Sequence, residues 1–492
     1  MGSGKLRWKI LSVIVFVLSA SLFLTSALAA AGPRTINILG HDIERDRVAV
    51  PSDWDAPLTK PLEVKVAYNG EDILFRLRFP TDRPSIHHNY LVYEGDGWVR
   101  HGEESVGSVP DFLYEDRITF HVDDGSVQGF ANQGCWTTCH SDLRYPFMYA
   151  APEEDEVQAN SYYRDIIKQR DTRKYIPESR NRSGEWWDVK WSDITDQDAE
   201  MITKLKEEGI LLDQWHWRGY RGGPIGFSDD MYVLDYRHGD EGRSAFTTNW
   251  DAEKNQPLFM FDSAKTGYAA LPFDDVRTQR VPMNSAYYLG PDTMTQYDPD
   301  HSWKAGDGLP YQYLRSPEKS HADITSTSQW VDGWWDVVLR RKMDTGNLDD
   351  KAFRELRSYN VAFAFYTNAT GNRFHYVTFP VKLGLRQPAD IQAARFVGEE
   401  PDWDLVPGAE LLAFYPGQTS WQFITSDKHP GAPGIRADSV ACATCHTEEG
   451  LARRAVGLEL HSEWEAPRPW TWVAGIIGVM GIGLGGIMFR RS

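Results

Sequence analysis

The sequence predicts a mainly β protein: an antiparallel β-sandwich with a partly helical insertion, a loop-rich C-terminal arm and a C-terminal transmembrane helix. Aromatic and β-branched runs recur along it, among them "DMYVLDY", "PLFMFD", "GWWDVVLRR" and "FHYVTFPVKL". Such runs are typical of strands, and nothing resembles the β-α repeat that builds parallel sheets. A two-sheet sandwich closed by long connections is the architecture that fits them.

The strand pattern also sets the expected domain organisation. The segment "LEVKVAYNGEDILFRLRFP" holds two alternating runs around Asn69 and Gly70, a pair that favours a tight hairpin turn. We predict a sandwich over residues 35–385. Residues 150–212 interrupt it as an insertion or lid, because they are charged, poor in strand signals and helical in "DQDAEMITKLKEEGIL". Residues 386–468, rich in Pro and Gly, are predicted to form the loop-rich arm.

One predicted strand bears on the functional site. The run "RITFHV", at 117–122, places Ile118, Phe120 and Val122 on one face. His121 then falls on the opposite, polar face. The alternation therefore predicts that His121 is a surface residue and not a ligand.

The first 30 residues have the three parts of an export signal. Lys5, Arg7 and Lys9 precede the apolar run "ILSVIVFVLSASLFL", and "SALAAA" supplies small residues that suit cleavage after Ala29. We expect most of the chain to lie outside the cytoplasm. An uncleaved N-terminal anchor is the alternative, because the apolar run is long for a signal.

The other end of the chain predicts a membrane anchor. Residues 469–490 include about 20 uncharged residues, the length that crosses a bilayer as a helix. Trp470 and Trp472 suit the outer interface, and Arg490 and Arg491 the cytoplasmic side. The expected location is the periplasmic, or extracytoplasmic, side of the cytoplasmic membrane, with one C-terminal span.

The charge balance excludes one class of partner. The chain has 52 Lys and Arg residues against 70 Asp and Glu residues, a net charge of -18. An acidic protein repels the phosphates of nucleic acids and anionic lipid headgroups. Nucleic acid is therefore not an expected partner.

The four cysteines form two close pairs, and a histidine follows each pair. The second pair, in "ACATCH", comprises Cys442, Cys445 and His446. This C-x-x-C-H spacing is that of c-type haem attachment, in which both thiols bind the porphyrin and the histidine binds iron. A zinc half-site or a redox dithiol is the alternative, although zinc needs further ligands and a dithiol enzyme needs no adjoining histidine.

The first pair has an unusual spacing. In "GCWTTCH", three residues separate Cys135 from Cys139, and His140 follows. The same chemistry is expected here because an exported chain with one haem motif uses its only other cysteines in a similar pattern. A local disulfide or a single thioether is the alternative. The sequence thus predicts two covalently bound haems c.

Each haem iron needs a ligand on its far face, commonly His or Met. For the first haem we favour His375, because in "FHYVTFP" it shares a strand face with Val377 and Phe379. A core histidine bonded to the backbone is the alternative. His216, in "WHWRGYR", is the second candidate.

For the second haem, the nearest candidates are His461, in "LELHSEW", and then His429, in "SDKHP". About 24 residues separate the motif from the predicted membrane helix, too few for a small helical cytochrome domain. A short clamp of two histidines fits that length. Either candidate could equally be solvent-exposed.

Between residues 35 and 385 the chain resembles the haem-binding domain of the ethylbenzene dehydrogenase gamma subunit and its relatives, which accompany molybdenum enzymes of the DMSO reductase superfamily. The resemblance rests on these motifs in order: "VKVAYNGEDILFRLRFP", "EDRITFHV", "GFANQGCWTTCH", "WHWRGYRGGPIGFSDD", "WWDVVLRRKMDTG" and "YNVAFAFYTN". It implies a DOMON-like β-sandwich that holds one haem and serves electron transfer. Such gamma subunits hold a b haem between Met and Lys, whereas this chain resembles the branch with a Cys-His attachment motif. His375 lies where these subunits place the lysine.

The leading hypothesis is a membrane-anchored dihaem cytochrome with no catalytic chemistry of its own. Its expected partner is a redox protein, either a molybdopterin oxidoreductase or a membrane cytochrome b or quinol complex. A catalytic haem enzyme with an open iron position and a haem-based sensor or scaffold are the alternatives. No nucleophile and base motif or phosphate loop argues for other chemistry.

Overall fold

The computed structural model describes residues 59–102, 113–140, 142–143, 152–180, 189–367 and 375–414. The predicted signal segment, the second Cys-His motif with His429 and His461, and the predicted membrane helix lie outside these ranges. Within the described ranges no helix is both long and apolar enough to cross a membrane.

Strands dominate the described ranges. In chain order they are β1 Thr59–Tyr68, β2 Asp72–Pro80, β3 Tyr90–Tyr93, β4 Trp98–His101, β5 Arg117–Asp123, β6 Leu212–Arg218, β7 Asp229–Val233, β8 Arg237–Gly239, β9 Phe246–Thr248, β10 Phe259–Phe261, β11 Leu271–Pro272, β12 Met294–Gln296, β13 Asp307–Pro310, β14 Gln312–Leu314, β15 Thr325–Val331, β16 Trp334–Lys342, β17 Arg357–Tyr366, β18 Tyr376–Thr378, β19 Val381–Leu385, β20 Ile391–Arg395 and β21 Gly408–Phe414. The α-helices are short: α1 Phe130–Gln133, α2 Glu154–Ala159, α3 Ala199–Glu207, α4 Ser263–Thr266 and α5 Phe273–Arg277.

Thirteen of the described strands form one sheet. Eleven follow the order β15-β16-β2-β1-β20-β19-β17-β5-β6-β7-β8, while β18 pairs with β17 and β21, and β21 also pairs with β1. The pairs that β20 makes with β1 and β19 are parallel, and the other pairs in this sheet are antiparallel. The prediction of a mainly β, largely antiparallel fold is confirmed.

The core lies where this sheet folds over on itself. Four strands lie between β2 and β5 in the sheet, yet the rings of Phe75 and Phe120 are 4.8 Å apart. Trp217 of β6 and Trp335 of β16 likewise meet at 4.9 Å. All four side chains are at most 1 % exposed. Burial of such large aromatic surfaces is the main force that holds the two layers together.

The predicted hairpin joins β1 to β2. The Asn69 side-chain oxygen accepts hydrogen bonds from the backbone N–H groups of Glu71 and Asp72, at 3.0 and 2.8 Å. Gly70 has a φ of 99°, in the left-handed region that glycine adopts without strain. The turn sets the register that pairs Tyr68 with Ile73.

The helical signal in the predicted insertion corresponds to α2, a single π-helical turn at Tyr162–Ile166, and α3. The described part of the predicted arm, residues 386–414, contributes β20 and β21 to the large sheet. Both strands pair with β1, so the sheet continues past residue 385.

Candidate functional site

The β17, β5 and β6 strands present a buried polar face on the side away from the aromatic core. On β5, Ile118, Phe120 and Val122 belong to that core, as predicted. The prediction that His121 is a surface residue is wrong, because its side chain is 2 % exposed. The segment that carries Cys135 packs on this face of β5. The alternation of residues within β5 alone could not predict that another segment buries this face.

The strand register aligns this face in rows across β17, β5 and β6. The first row is Ala362, His121 and Gln214, the second is Ala364, Thr119 and His216, and the third is Tyr366, Arg117 and Arg218. The two imidazoles therefore lie in the rows of the alanines of β17, and the two guanidinium groups lie in the row of Tyr366.

A 3-10 helix, Gly134–Thr138, lies against the alanine side of this face. A Cβ on Gly134 would come within 2.9 Å of the Ala362 Cβ, so glycine is what permits this close approach. The Cys135 Sγ lies 3.7 Å from Nδ1 of His121 and 3.9 Å from the Ala362 carbonyl oxygen. Cys135 and Cys139, the cysteines of the described ranges, are both free thiols.

The second thiol contacts a cation from the predicted insertion. The Lys174 Nζ lies 3.1 Å from Sγ of Cys139 and 3.1 Å from Oγ1 of Thr138. Burial lowers the pKa of Lys174, but the Cys139 and Cys135 sulfurs raise it by more, so the net shift is upward. Lys174 therefore places a positive charge beside the Cys-His motif at neutral pH.

His140 is fully buried and held by Tyr175. The two rings stack with centroids 4.0 Å apart and planes 2° apart, and His140 Nε2 lies 3.2 Å from the Tyr175 carbonyl oxygen. A hydrogen bond from one imidazole nitrogen to a carbonyl is how proteins fix the tautomer and orientation of a metal-ligating histidine. The insertion therefore positions His140 as well as Lys174.

Burial keeps the histidines of this site neutral. It lowers the pKa values of His121 and His140 to about 3, with the charge of Lys174 adding to the effect at both. Burial and then the charge of Arg218 hold the pKa of His216 well below its usual value. Neutral imidazole is the form that binds a metal. Burial also raises the pKa of the Cys135 thiol to about 12.

Several buried polar atoms on this face lack a hydrogen-bond partner among the described residues. They include Nε2 of His121, Nε2 of His216 and Nε2 of Gln133. A buried polar group without a partner costs free energy, so such a group indicates a missing ligand. Imidazole nitrogens beside two free thiols fit a covalently attached haem, whose iron takes histidine ligands.

His375 lies at the edge of the same face. Its side chain is 4 % exposed, and its ring stacks on that of Tyr366 at 4.5 Å. The Arg117 guanidinium also lies over the Tyr366 ring, at 3.8 Å. Val377 packs with Cys135 in one apolar cluster. His375 and Val377 are thus both buried beside the motif, as expected for a shared face.

Arginines gather at the third row of the face. Arg218 forms a buried ion pair with Asp229, and Arg221 Nε lies 2.7 Å from Oε1 of Glu115. Burial raises the pKa of Tyr114, but Arg221 and Arg117 outweigh it and bring the value down to about 7. Such a cluster of arginines suits the carboxylates of an anionic ligand.

The structure brings Cys135, Cys139, His140, His216 and His375 to one region, whereas Cys442, Cys445, His446, His461 and His429 lie outside the described residues. Sequence reasoning missed His121, Lys174 and Gln214. For His121 and Gln214 a signal was present, since β5 and β6 both alternate core residues with Arg, Thr, Gln or His and carry few acidic groups on that face. No local pattern marked Lys174.

Two comparisons with known proteins found similarities to this chain. The sequence model of a protein family described as ethylbenzene dehydrogenase matches residues 47–378. A stretch of 52 residues, 10% of this chain, is 42% identical to cytochrome c-551 from Rhodocyclus tenuis. That stretch covers 21% of the cytochrome, so the chain spans about a fifth of the length of this curated relative.

Proposed function

The chain belongs to the ethylbenzene dehydrogenase family, and from this membership we propose that it is a membrane-anchored, exported cytochrome with two covalently bound haems c. It carries single electrons between a membrane redox complex and an oxidoreductase. Family membership and the partial similarity to a cytochrome c both support a redox role.

The observation that carries the proposal is the buried polar face of β17, β5 and β6. It combines two free thiols with neutral histidines, and Nε2 of both His121 and His216 lacks a partner among the described residues. A hydrolytic site would need a nucleophile hydrogen-bonded to a base that can accept its proton. Cys135 contacts His121 at 3.7 Å, but burial raises the pKa of the Cys135 thiol to about 12 and lowers that of His121 to about 3, so His121 does not take up the thiol proton.

The chain's own residues divide the work of holding the first haem. Cys135 and Cys139 would supply the thioether bonds, and His140, together with His216 or His375, would bind the iron. Lys174 and the arginine cluster offset the negative charge of the propionates. A bound haem supplies one-electron exchange between ferrous and ferric iron.

The second haem is assigned to Cys442, Cys445 and His446, with His461 as the far ligand and His429 as its alternative. The regular C-x-x-C-H spacing supports this assignment. The export signal and the apolar residues 469–490 support a location on the outer side of the cytoplasmic membrane. There the partner is a molybdopterin oxidoreductase, a membrane cytochrome b or a quinol complex.

A haem count tests the proposal. The full chain is produced in a host with cytochrome c maturation, and haem is measured per chain as the pyridine haemochrome. We expect about two haems c, and about one when Cys442 and Cys445 are both changed to Ser. Absence of haem c would refute the proposal. One haem per wild-type chain would show that one of the two Cys-His motifs holds no haem.

Spectroscopy separates electron transfer from the other roles. We expect both haems to be six-coordinate and low-spin and to bind neither carbon monoxide nor cyanide. In a redox titration both should be oxidised and reduced reversibly. Binding of carbon monoxide by the native protein would favour a catalytic haem enzyme instead. Reversible haem titration without electron exchange with any respiratory partner would favour a sensor or scaffold.

A further inference from the structure

A second cluster of charged groups is buried on the other side of β6 and β7. Arg341 of β16 is fully buried and lies 2.6 Å from Asp213 and 3.3 Å from Asp230. It also lies 2.5 Å from Asp350, in the segment between β16 and β17. Each of these side chains is at most 2 % exposed. One guanidinium group thus serves three buried carboxylates.

Two further carboxylates adjoin this cluster. Asp240 directly follows β8 and is 4 % exposed, and neither of its carboxylate oxygens has a hydrogen-bond partner among the described residues. Asp349 is 5 % exposed, and its Oδ1 likewise has no such partner. Its other oxygen lies 3.3 Å from Nζ of Lys206.

The charges of this region do not balance. Five carboxylates, those of Asp213, Asp230, Asp240, Asp349 and Asp350, face the two cations Arg341 and Lys206. An uncompensated buried carboxylate is costly, so this cluster must be neutralised either by a bound proton or by a further cation.

We propose that Asp240, Asp349 and Asp350 bind a calcium ion. One oxygen from each of the three lies within 4.8 Å of the others. That span matches oxygens arranged around one Ca²⁺ at about 2.3 to 2.6 Å each. The all-carboxylate donor set suits a hard cation and lacks the imidazole or thiolate that zinc and copper prefer. The oxygens of Asp240, which have no hydrogen-bond partner among the described residues, supply ligand atoms for this ion.

The ion would join distant parts of the chain. Asp240 follows β8, while Asp349 and Asp350 lie about 110 residues further on, in the connection between β16 and β17. Binding only to the folded state stabilises that state by mass action. The role of the site is therefore to secure the β8 end of the sheet to this connection, without involving the haem.

Calorimetry on the full chain, purified in detergent and dialysed against a chelator, tests the site. We expect about one Ca²⁺ per chain on titration with CaCl2. At a Ca²⁺ concentration about 100 times the Kd, the Tm should rise by roughly 5 °C. No binding and an unchanged Tm would overturn the proposal, because protons would then neutralise the cluster. A stronger response to MgCl2 would overturn the choice of calcium.

Matched variants locate the ion. Asp240→Asn and Asp349→Asn should each weaken calcium binding at least tenfold and abolish most of the Tm rise. Asp344→Asn is the control, since Asp344 lies in the same connection but is half exposed and paired with Arg354. Calcium binding by Asp240→Asn as tight as that of the wild type would refute the site. Circular dichroism of each variant verifies that it is folded.

Discussion

His121 Nδ1 lies 3.7 Å from the sulfur of Cys135, on a strand face that simple alternation assigns to solvent. The contact exists because Gly134 lets the Cys-His segment lie directly on β17. An imidazole therefore stands beside the first thiol of the motif, in addition to the His140 that follows the second. The Cys-His motif with three residues between its cysteines is thus part of a buried site and not of an exposed loop.

The first prediction concerns the two thioethers of that motif. Cys135→Ser and Cys139→Ser should each leave one thioether, because each thiol is free and buried in the same site. The pyridine haemochrome band of the first haem should then move toward that of a singly attached haem, and the double variant should lose this haem. An unchanged band in Cys135→Ser would mean that Cys135 forms no thioether.

The second prediction identifies the far ligand of the first haem. We expect His216→Ala to make this haem high-spin and able to bind carbon monoxide, because Nε2 of His216 has no partner among the described residues. His238→Ala is the control, since His238 is partly exposed and bonded to Asp235. If His375→Ala makes this haem high-spin and able to bind carbon monoxide and His216→Ala does not, the far ligand is His375.

The third prediction concerns Lys174. Its positive charge beside Cys139 favours ferrous over ferric iron, so Lys174→Met should lower the midpoint potential of the first haem. If this unit charge acts over about 8 Å, it shifts the potential by roughly 20 to 90 mV for an effective dielectric constant between about 80 and 20. Redox titration measures this, with the exposed Lys204→Met as control. Equal potentials in the two variants would contradict a role for Lys174.

These residues show how far sequence could predict the site. Alternation correctly placed Ile118, Phe120 and Val122 in the core, because a strand's period of two is a local property. It could not say what covers the other side of β5. The segment that carries Cys135 and the side chain of Lys174 cover that side, and Lys174 lies more than 50 residues after β5 in the chain. Such contacts depend on tertiary packing.

The fold likewise has some features that the sequence predicts and others that it does not. The β1–β2 hairpin was predictable because Asn69 and Gly70 carry the turn chemistry themselves. The parallel pairing of β20 with β1 was not predictable, because it joins two segments more than 300 residues apart in the chain and β20 lies in a stretch rich in Pro and Gly. Local signals specify turns and faces, whereas the order of strands in the sheet follows from the whole core.

The fourth prediction concerns the buried Arg341. Replacement by Met would leave Asp213, Asp230 and Asp350 without their shared cation, so Arg341→Met should lower the free energy of unfolding by about 3 to 5 kcal/mol. Denaturant unfolding measures this. Arg354→Met, at a side chain 64 % exposed, should change it by less than about 0.5 kcal/mol. A loss no larger than that of the control would show that the carboxylates are neutralised without Arg341.

The fifth prediction concerns acid stability and a histidine remote from the Cys-His motif. Burial lowers the pKa of His87 from 6.5 to about 3, and its Nδ1 lies 3.0 Å from the Tyr90 hydroxyl. Between these two pKa values the unfolded chain binds a proton that the folded chain excludes, so stability must fall as the pH drops from about 6.5 toward 3. His87 alone contributes about 2 kcal/mol of this loss by pH 5. His87→Gln should therefore flatten the pH dependence of the free energy of unfolding over this range, whereas the exposed His301→Gln should leave it unchanged. An equally steep loss in His87→Gln would mean that His87 is already protonated in the folded state and that Tyr90 accepts its proton in a hydrogen bond.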